Sequence, residues 1–151
     1  MKPVCLVLGA GAGIGGTVAA KFASEGYHSC LCRRSDQEGL DRLVKGIEDE
    51  GGSANGYLIN AIEDNVIEDL INTIESDVGP IEVVVYNLGA QTGMKLLKDT
   101  THKEFEWGWR MASLGLFRVA KVLCPIMKER GKGTILVTSA TAAMRGNATQ
   151  H

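Results

Sequence analysis

The 151-residue sequence lacks a block of basic residues and a long uninterrupted apolar run. Its 16 Lys and Arg are outnumbered by 18 Asp and Glu, and the formal net charge of −2 argues against a nucleic-acid partner. No apolar run reaches the roughly 20 residues that a membrane-spanning helix needs. Internal repeats, low-complexity tracts and linker-like stretches are also lacking. With 44% hydrophobic and only 5% aromatic residues, the composition predicts one globular domain over residues 1–151, without a membrane segment.

The four cysteines predict neither a disulfide framework nor a metal centre. Cys5, Cys30 and Cys32 fall in apolar segments that we predict to be buried strands, so we expect reduced thiols and a cytoplasmic protein. His28 alternates with Cys30 and Cys32 and would share one strand face with them, which leaves a metal site as the alternative. Their spacing does not match a zinc knuckle and no fourth ligand is evident, so we predict no metal.

The glycines are concentrated in one place, Gly9-Ala10-Gly11-Ala12-Gly13-Ile14-Gly15. The preceding run Val4-Cys5-Leu6-Val7-Leu8 is apolar without alternation, which is typical of a strand buried on both faces. In the segment 16–25 that follows, the apolar residues share one helical face. Strand, glycine turn and helix together indicate a phosphate-binding site, because the backbone can approach the anion and the helix N-terminus offers free N–H groups. The alternative is a glycine-rich turn without a ligand.

The rest of the chain alternates in the same way. We predict a strand at 27–33, a helix that opens on the capping-box pattern Ser35-Asp36-Gln37-Glu38, a strand at 54–60, a helix at 63–77, a strand at 81–86, a long helix at 102–129 interrupted at Pro125, and a strand at 134–138. Five strands alternating with four helices predict an α/β fold, a doubly wound parallel sheet in the order 3-2-1-4-5 with helices on both faces. The crevice between strands one and four would then hold the ligand, and residues 9–15 and 87–90 both fall there.

With these motifs in place, the sequence resembles the short-chain dehydrogenase/reductase family over essentially all 151 residues. Gly9-x-x-x-Gly13-Ile14-Gly15 matches the family's coenzyme turn. Tyr86-Asn87-Leu88-Gly89 is similar to the Asn-Asn-Ala-Gly that follows its fourth strand, and residues 134–140 resemble the fifth strand, which leads to its catalytic serine. The resemblance implies a Rossmann-type domain, truncated after strand five, and hydride transfer between a nicotinamide coenzyme and a small carbonyl or alcohol.

The second strand bears on the choice of coenzyme. A free ribose 2′-OH favours an acid at the end of this strand, whereas a 2′-phosphate favours arginine. The strand ends in Cys32-Arg33-Arg34, with Cys32 at the family's acid position, which predicts NADP(H) in preference to NAD(H). Two alternatives remain: Arg33 and Arg34 are solvated loop charges, or Asp36 is the ribose acid, although its place in the capping pattern is the simpler explanation.

The resemblance also implies a set of coenzyme contacts. Asn60 stands where the family often has an aspartate that contacts the adenine. The implied coenzyme-binding residues are Gly9, Ala12, Gly13, Ile14, Gly15, Cys32, Arg33, Arg34, Asn60, Ala61, Asn87 and Gly89.

The catalytic residues of the family are only partly matched. Its acid/base is a tyrosine whose pKa is lowered by a lysine four residues later, because a phenol with a pKa near ~10 otherwise exchanges protons poorly at neutral pH. Tyr27, Tyr57 and Tyr86 have no such lysine, and in the family the Tyr-x-x-x-Lys motif would begin just beyond His151. We therefore expect a coenzyme-binding portion without a complete acid/base apparatus.

The other two catalytic positions of the family leave alternatives open. Ser139 is the candidate for the substrate-positioning serine, although an alignment through residues 144–146 places Ala140 there. The asparagine that holds a water in the family falls near Ala112, beside Ser113.

Three functions are consistent with this sequence. The first is an NADP(H)-dependent oxidoreductase of which this chain is the N-terminal portion. The second is a non-catalytic nucleotide-binding module, and the third is a truncated, inactive product. In each case the 102–129 helix or the open edge of strand five is a candidate surface for self-association.

Overall fold

A five-stranded parallel sheet forms the centre of the computed structural model, which describes residues 1–89, 94–146 and 148–149. The strands are β1 Val4–Leu8, β2 His28–Arg33, β3 Ser53–Leu58, β4 Ile81–Tyr86 and β5 Thr134–Val137, in the spatial order β3-β2-β1-β4-β5. All neighbouring strands pair in parallel, so the predicted order is confirmed. Every residue of β1 is fully buried, because this central strand is covered on both faces.

Helices cover both faces of the sheet and make three layers. Helices α1 Ile14–Ser24 and α2 Gln37–Asp49 pack on one face around a core that includes Val7, Leu31 and Leu40. Helices α3 Val66–Asp77 and α5 Gly115–Arg130 pack on the other around a core that includes Leu6 and Ile71. The remaining helical segments are a 3₁₀ turn at Leu97–Asp99, α4 His102–Trp109 and α6 Ala142–Arg145.

The long helix is interrupted at a different place from the predicted one. It begins at His102 as expected, but Pro125 lies inside a continuous α5. Pro125 is on an exposed face, where water can donate a hydrogen bond to the carbonyl that loses its N–H partner. The irregularity is a π-helical turn at Arg110–Leu114, between α4 and α5. There the buried hydroxyl of Tyr86 donates a hydrogen bond to the carbonyl of Met111. An added Cβ on Gly115 would overlap that hydroxyl, so this glycine makes the close approach possible.

Two helix starts also differ from the prediction. The N-cap of α2 is Asp36, not Ser35: its carboxylate accepts a hydrogen bond from the N–H of Gly39 at 2.9 Å. The third helix begins at Val66 and not at residue 63, because Asn65 takes a left-handed conformation with φ 64° and ends a preceding turn. Both left-handed residues are of the kind that tolerates this region best.

Several large apolar side chains remain exposed at the two candidate self-association surfaces. They are Phe105, Trp109 and Phe117 on α4 and α5, and Leu136 and Val137 on the edge strand β5. Within the described parts of the chain, no helix combines the length and the apolar character that crossing a bilayer requires.

Candidate functional site

The glycine turn joins β1 to α1 at the carboxyl edge of the sheet. The carbonyl of Cys32 accepts hydrogen bonds from the N–H groups of Gly9 at 3.0 Å and Ala10 at 2.8 Å, which fixes the start of the turn against β2. Gly9 has φ +94°, and an added Cβ would lie 2.7 Å from the carbonyl oxygen of Asn87. The side-chain amide of Asn87 in turn donates to the carbonyl of Gly9 at 3.0 Å. The turn is therefore anchored to both neighbours of β1.

The N-terminus of α1 is left without a cap. Gly13, its N-cap residue, has no side chain, and no side chain in the described chain caps the helix. The N–H groups of Ala12, Gly13, Ile14 and Gly15 find no backbone acceptor among the described residues. A Cβ on Gly13 would meet nothing within 4 Å, so the backbone here is open to a ligand. Free donors at a helix N-terminus, with the positive end of the helix dipole, suit an anion such as a pyrophosphate.

A cleft opens beside this turn, between the ends of β1, β2 and β3. Six of its lining residues were predicted coenzyme contacts: Gly9, Cys32, Arg33, Arg34, Asn60 and Ala61. The four that the sequence reasoning missed are Leu8, Ile59, Leu88 and Met111, which make the lining mostly apolar.

Cys32 contributes its backbone more than its thiol. The side chain is 1% exposed and packs in the core with Cys30, and burial raises its pKa well above the usual range. The thiol is therefore protonated at neutral pH and cannot supply the negatively charged acceptor that an acidic residue would offer a ribose hydroxyl. Its carbonyl, however, accepts the two hydrogen bonds that fix the start of the glycine turn.

Arg33 is a half-buried, paired side chain and not a freely solvated loop charge. Its side chain is 23% exposed, and its guanidinium lies 3.1 Å from the carboxylate of Asp36. Arg34, the next residue, is exposed at the mouth of the cleft. Both arginines therefore belong to the lining of the cleft, and the guanidinium of Arg33 is directed to Asp36.

Asn60 presents an unpaired acceptor. Its Nδ2 donates to the carboxylate of Glu63 at 2.9 Å, which sets the orientation of the amide. Its Oδ1 is buried and has no hydrogen-bond partner within the part of the chain that the structure describes. A buried acceptor without a partner costs free energy, and a ligand amino group could satisfy it.

Two arginines of the long helix hold the 59–64 loop in place. Arg118, which is 9% exposed, donates to the carbonyls of Ala61 at 3.2 Å and Glu63 at 2.8 Å, and it forms a two-pronged ion pair with Glu68. Arg110 donates to the carbonyl of Ile62 at 3.0 Å. The loop that carries Asn60 is therefore held by side chains of the π-helical turn and of α5.

The predicted site residues that do not line the cleft lie at different places along the carboxyl edge of the sheet or outside the described residues. Asn87 and Gly89 follow β4 beside the glycine turn, and Ala90, the end of that predicted segment, lies outside the described residues. Ser139 is exposed just past β5, one residue after Thr138, whose N–H donates to the carbonyl of Tyr86 at 3.0 Å. It therefore lies at the carboxyl edge of the sheet but does not line the cleft.

None of the three tyrosines is placed as an acid/base. Tyr86 is buried and bonded to the carbonyl of Met111, and its burial raises its pKa to about 12. Burial also raises the pKa of Tyr57 to about 12. Tyr27 packs edge-on against Phe22, with ring centroids 5.3 Å apart.

The alternative metal site does not form. His28 bonds to Asn55 through Nε2 at 2.6 Å, while Cys30 and Cys32 are buried in the core. Over residues 1–89, 94–146 and 148–149, no group of three or more His, Cys, Asp or Glu is arranged to hold a metal ion.

This chain is similar in sequence and in fold to known oxidoreductases. The 3-oxoacyl-(acyl-carrier-protein) reductase FabG of Thermotoga maritima is 30% identical over 146 residues, which cover 95% of this chain and 58% of the relative. A gluconate 5-dehydrogenase from Burkholderia cenocepacia, solved in complex with NADP and tartrate, superposes with a TM-score of 0.86 at 26% identity, covering 98% of this chain and 57% of the other. An NAD⁺-bound xylitol dehydrogenase superposes with a TM-score of 0.89 at 25% identity, covering 98% and 56%.

The chain thus spans a little over half the length of these proteins. The family model described as short chain dehydrogenase matches residues 3–151, almost the whole chain, and it includes the turn, the cleft and all five strands. On these grounds the chain belongs to the short-chain dehydrogenase family, whose members are oxidoreductases with a Rossmann-type coenzyme domain.

Proposed function

We propose that this chain is the coenzyme-binding portion of an oxidoreductase that uses NADP(H) in preference to NAD(H) and acts on a small carbonyl or alcohol. One observation carries the proposal: an uncapped helix N-terminus and an apolar cleft rimmed by Arg33 and Arg34 lie side by side at the carboxyl edge of the sheet. This is the position at which doubly wound folds bind dinucleotides.

The residues present fit such a coenzyme at its pyrophosphate and at the amino group of its adenine. The free N–H groups of residues 12–15 suit the pyrophosphate, and the unpaired Oδ1 of Asn60 suits the donor amino group of an adenine. The apolar side chains of the cleft suit the faces of the same ring. When bound, a nicotinamide coenzyme would supply or accept the hydride; the chain's part is to orient it and to exclude water from its adenine end.

Calorimetric titration with NADPH and NADH tests this proposal. We expect saturable binding of both coenzymes, with NADPH the tighter ligand. Replacing Arg33 with Gln should weaken NADPH binding about tenfold and leave NADH within about twofold, because an ionic hydrogen bond to phosphate is worth roughly 1.5–3 kcal/mol. Arg42→Gln is the matched control, because the side chain of Arg42 lies on α2, is 72% exposed and does not line the cleft. An unchanged preference in Arg33→Gln would rule out its phosphate role.

A second prediction concerns the adenine. Asn60→Ala should weaken NADPH and NADH equally, by about three- to tenfold, because one hydrogen bond is worth roughly 0.5–1.5 kcal/mol and the 2′-substituent is not involved. Coenzyme analogues with hypoxanthine in place of adenine lack the amino donor, so their affinity should be the same for the wild type and for Asn60→Ala. If Asn60→Ala still bound the adenine coenzyme more tightly than the hypoxanthine analogue, by the same factor as the wild type, this assignment would be wrong.

The placement of the tyrosines supports a second candidate, a non-catalytic nucleotide-binding module. A phenol that is buried, bonded to a carbonyl and raised in pKa to about 12 cannot exchange protons usefully near pH 7, and this is the state of Tyr86. On this candidate, saturating NADPH should bind without any decrease in its absorbance when small aldehydes and ketones are added. Carbonyl-dependent oxidation of NADPH by the isolated chain would favour the first candidate.

Two further properties are part of the proposal. Reduced, buried cysteines support a cytoplasmic location. The exposed apolar residues of α4, α5 and β5 support self-association, which size-exclusion chromatography across a range of protein concentrations would test. Elution at the monomer volume at high concentration would count against it.

A further inference from the structure

The buried hydroxyl of Tyr86 supplies a hydrogen bond that the long helix does not make for itself. In an α-helix the N–H of Gly115 would donate to the carbonyl of Met111, four residues back. In the π-helical turn it donates to the carbonyl of Arg110, five residues back. The hydroxyl of Tyr86, at the end of β4, donates to the carbonyl of Met111 in its place. A side chain of the sheet thus replaces the bond that the extra residue of the turn displaces.

The same π-helical turn carries part of the wall of the cleft. The side chain of Met111 is 7% exposed and lines the cleft together with Asn60. Its neighbour Arg110 donates at 3.0 Å to the carbonyl of Ile62, in the loop that carries Asn60. Tyr86 itself does not line the cleft. An influence of Tyr86 on a ligand must therefore pass through the turn.

The hydroxyl is a feature of this chain and not of the motif that contains it. Tyr86 is the first residue of a segment that resembles Asn-Asn-Ala-Gly, in which the corresponding residue is an asparagine. The chain also provides the space that the larger side chain needs. An added Cβ on Gly115 would overlap the hydroxyl and would lie 3.2 Å from Cζ of the same ring.

We propose that Tyr86 is a positioning residue of the coenzyme site, because its hydroxyl holds the π-helical turn in the conformation that places Met111 against the adenine end of the coenzyme. The inference rests on the proposed function. Without the hydroxyl, a buried carbonyl loses its donor, and this costs free energy unless the turn rearranges. A rearranged turn moves Met111 from the wall of the cleft. The apparent affinity then falls with the fraction of molecules that keep the original turn.

Titration of Tyr86→Phe with NADPH, NADH and ADP-ribose tests the inference. We expect the three affinities to fall alike, by about fivefold, which corresponds to the loss of one hydrogen bond. ADP-ribose is included because it keeps the adenine end and lacks the nicotinamide. Tyr57→Phe is the matched control, since the half-buried Tyr57 interacts with the thiol of Cys30 and does not line the cleft. Its affinities should stay within about twofold of the wild type.

The double variant Tyr86→Phe/Met111→Ala distinguishes positioning from a purely structural role. Met111→Ala removes the wall but keeps the carbonyl to which Tyr86 donates. In this background Tyr86→Phe should lower affinity by less than about twofold further, because the side chain through which it acts is gone. It should still lower the midpoint of thermal unfolding, as it does in the wild type. A purely structural role would lower the midpoint in both backgrounds and leave both affinities unchanged.

Gly115→Ala reaches the same hydrogen bond without changing the tyrosine. Its methyl group displaces the hydroxyl, so it should lower affinity as Tyr86→Phe does. In the Tyr86→Phe background it should lower affinity by less than about twofold further, since no hydroxyl remains to be displaced. Unchanged affinity in both single variants, or an equal effect of Tyr86→Phe with and without Met111, would overturn the inference alone. Failure of the wild type to bind any of the three ligands would overturn the proposed function, and the inference with it.

Discussion

Replacing Gly15 with alanine should abolish measurable coenzyme binding and lower the free energy of unfolding by about 1–3 kcal/mol, the range of overpacking substitutions. Gly15 is buried in the first turn of α1. An added Cβ would overlap the carbonyl oxygen of Gly9 and lie 2.9 Å from Cα of Ala10. These are backbone atoms, so the clash cannot be relieved by rotating a side chain. The glycine turn must open, and the N–H groups of residues 12–15 would lose their common direction.

A glycine in the middle of another helix is the matched control. A Cβ on Gly46, in α2, would meet nothing within 4 Å. Gly46→Ala should therefore raise the free energy of unfolding by roughly 0.5–1 kcal/mol, the usual gain of alanine over glycine in a helix, and leave coenzyme affinity unchanged. Urea denaturation and calorimetry measure the two quantities. If Gly15→Ala bound NADPH like the wild type, the turn would not be the pyrophosphate site.

The parts of the fold that were predicted correctly are those where a local pattern and its tertiary environment agree. The apolar run Val4–Leu8 and the nearly all-apolar run Ile81–Tyr86 became central strands with the predicted bounds, because a strand buried on both faces has no alternation to misread. The strand order followed from alternating strands and helices together with right-handed crossovers. Such rules act on the chain as a whole and tolerate errors of a few residues at the ends of elements.

The parts that were predicted wrongly depend on contacts between distant residues. Pro125 has a strong local signal for a kink, yet the irregular turn lies at Arg110–Leu114, where the hydroxyl of Tyr86 reaches the carbonyl of Met111. Tyr86 is 25 residues away in sequence, and no periodicity within the helix points to it. The N-cap of α2 is Asp36 and not Ser35, because the Asp36 carboxylate accepts a hydrogen bond from the N–H of Gly39; the same carboxylate also pairs with Arg33.

In the candidate site, too, local motifs were predicted correctly and contacts between distant residues were not. Motif spacing brought six predicted residues into one cleft, since each lies at the end of a strand that the topology places there. The role of Cys32 was predicted from its side chain, whereas the structure uses its carbonyl. Arg118 was missed altogether. A lone arginine in an amphipathic helix looks like a solvated charge, and only the packing of α5 on α3 reveals that it is buried.

Replacing Arg118 with methionine should lower the free energy of unfolding by about 3 kcal/mol. The side chain joins α5 to Glu68 at 2.8 and 2.6 Å and to the carbonyls of Ala61 and Glu63. Methionine fills a similar volume but leaves a carboxylate and two carbonyls without their donor. Breaking a buried ion pair costs about 3–5 kcal/mol, and we expect the lower end because the Glu68 side chain is 28% exposed.

The matched control is Arg110→Met, on the same helical layer and toward the same loop. Arg110 donates to one carbonyl, and its ion-pair distance to Asp64, a side chain that is 87% exposed, is 3.4 Å. Its replacement should cost less than about 1 kcal/mol, as for other exposed pairs. Coenzyme affinity should fall in Arg118→Met, equally for NADPH and NADH, because the loop that carries Asn60 is released and the 2′-substituent is not involved.

The pH dependence of unfolding separates an ionic role of Arg118 from simple packing. The hydrogen bonds from Arg118 hold the pKa of Glu68 below its usual range. A carboxyl whose pKa is lower in the folded state contributes its stability above the unfolded-state value, about 4.3, and loses it as the pH falls through the folded-state pKa. The difference in unfolding free energy between wild type and Arg118→Met should therefore be complete at pH 7 and shrink progressively below pH ~4. If the difference were the same at pH 7 and pH 3, Arg118 would stabilise the fold through its apolar stem and its carbonyl contacts, and the pair with Glu68 would contribute nothing.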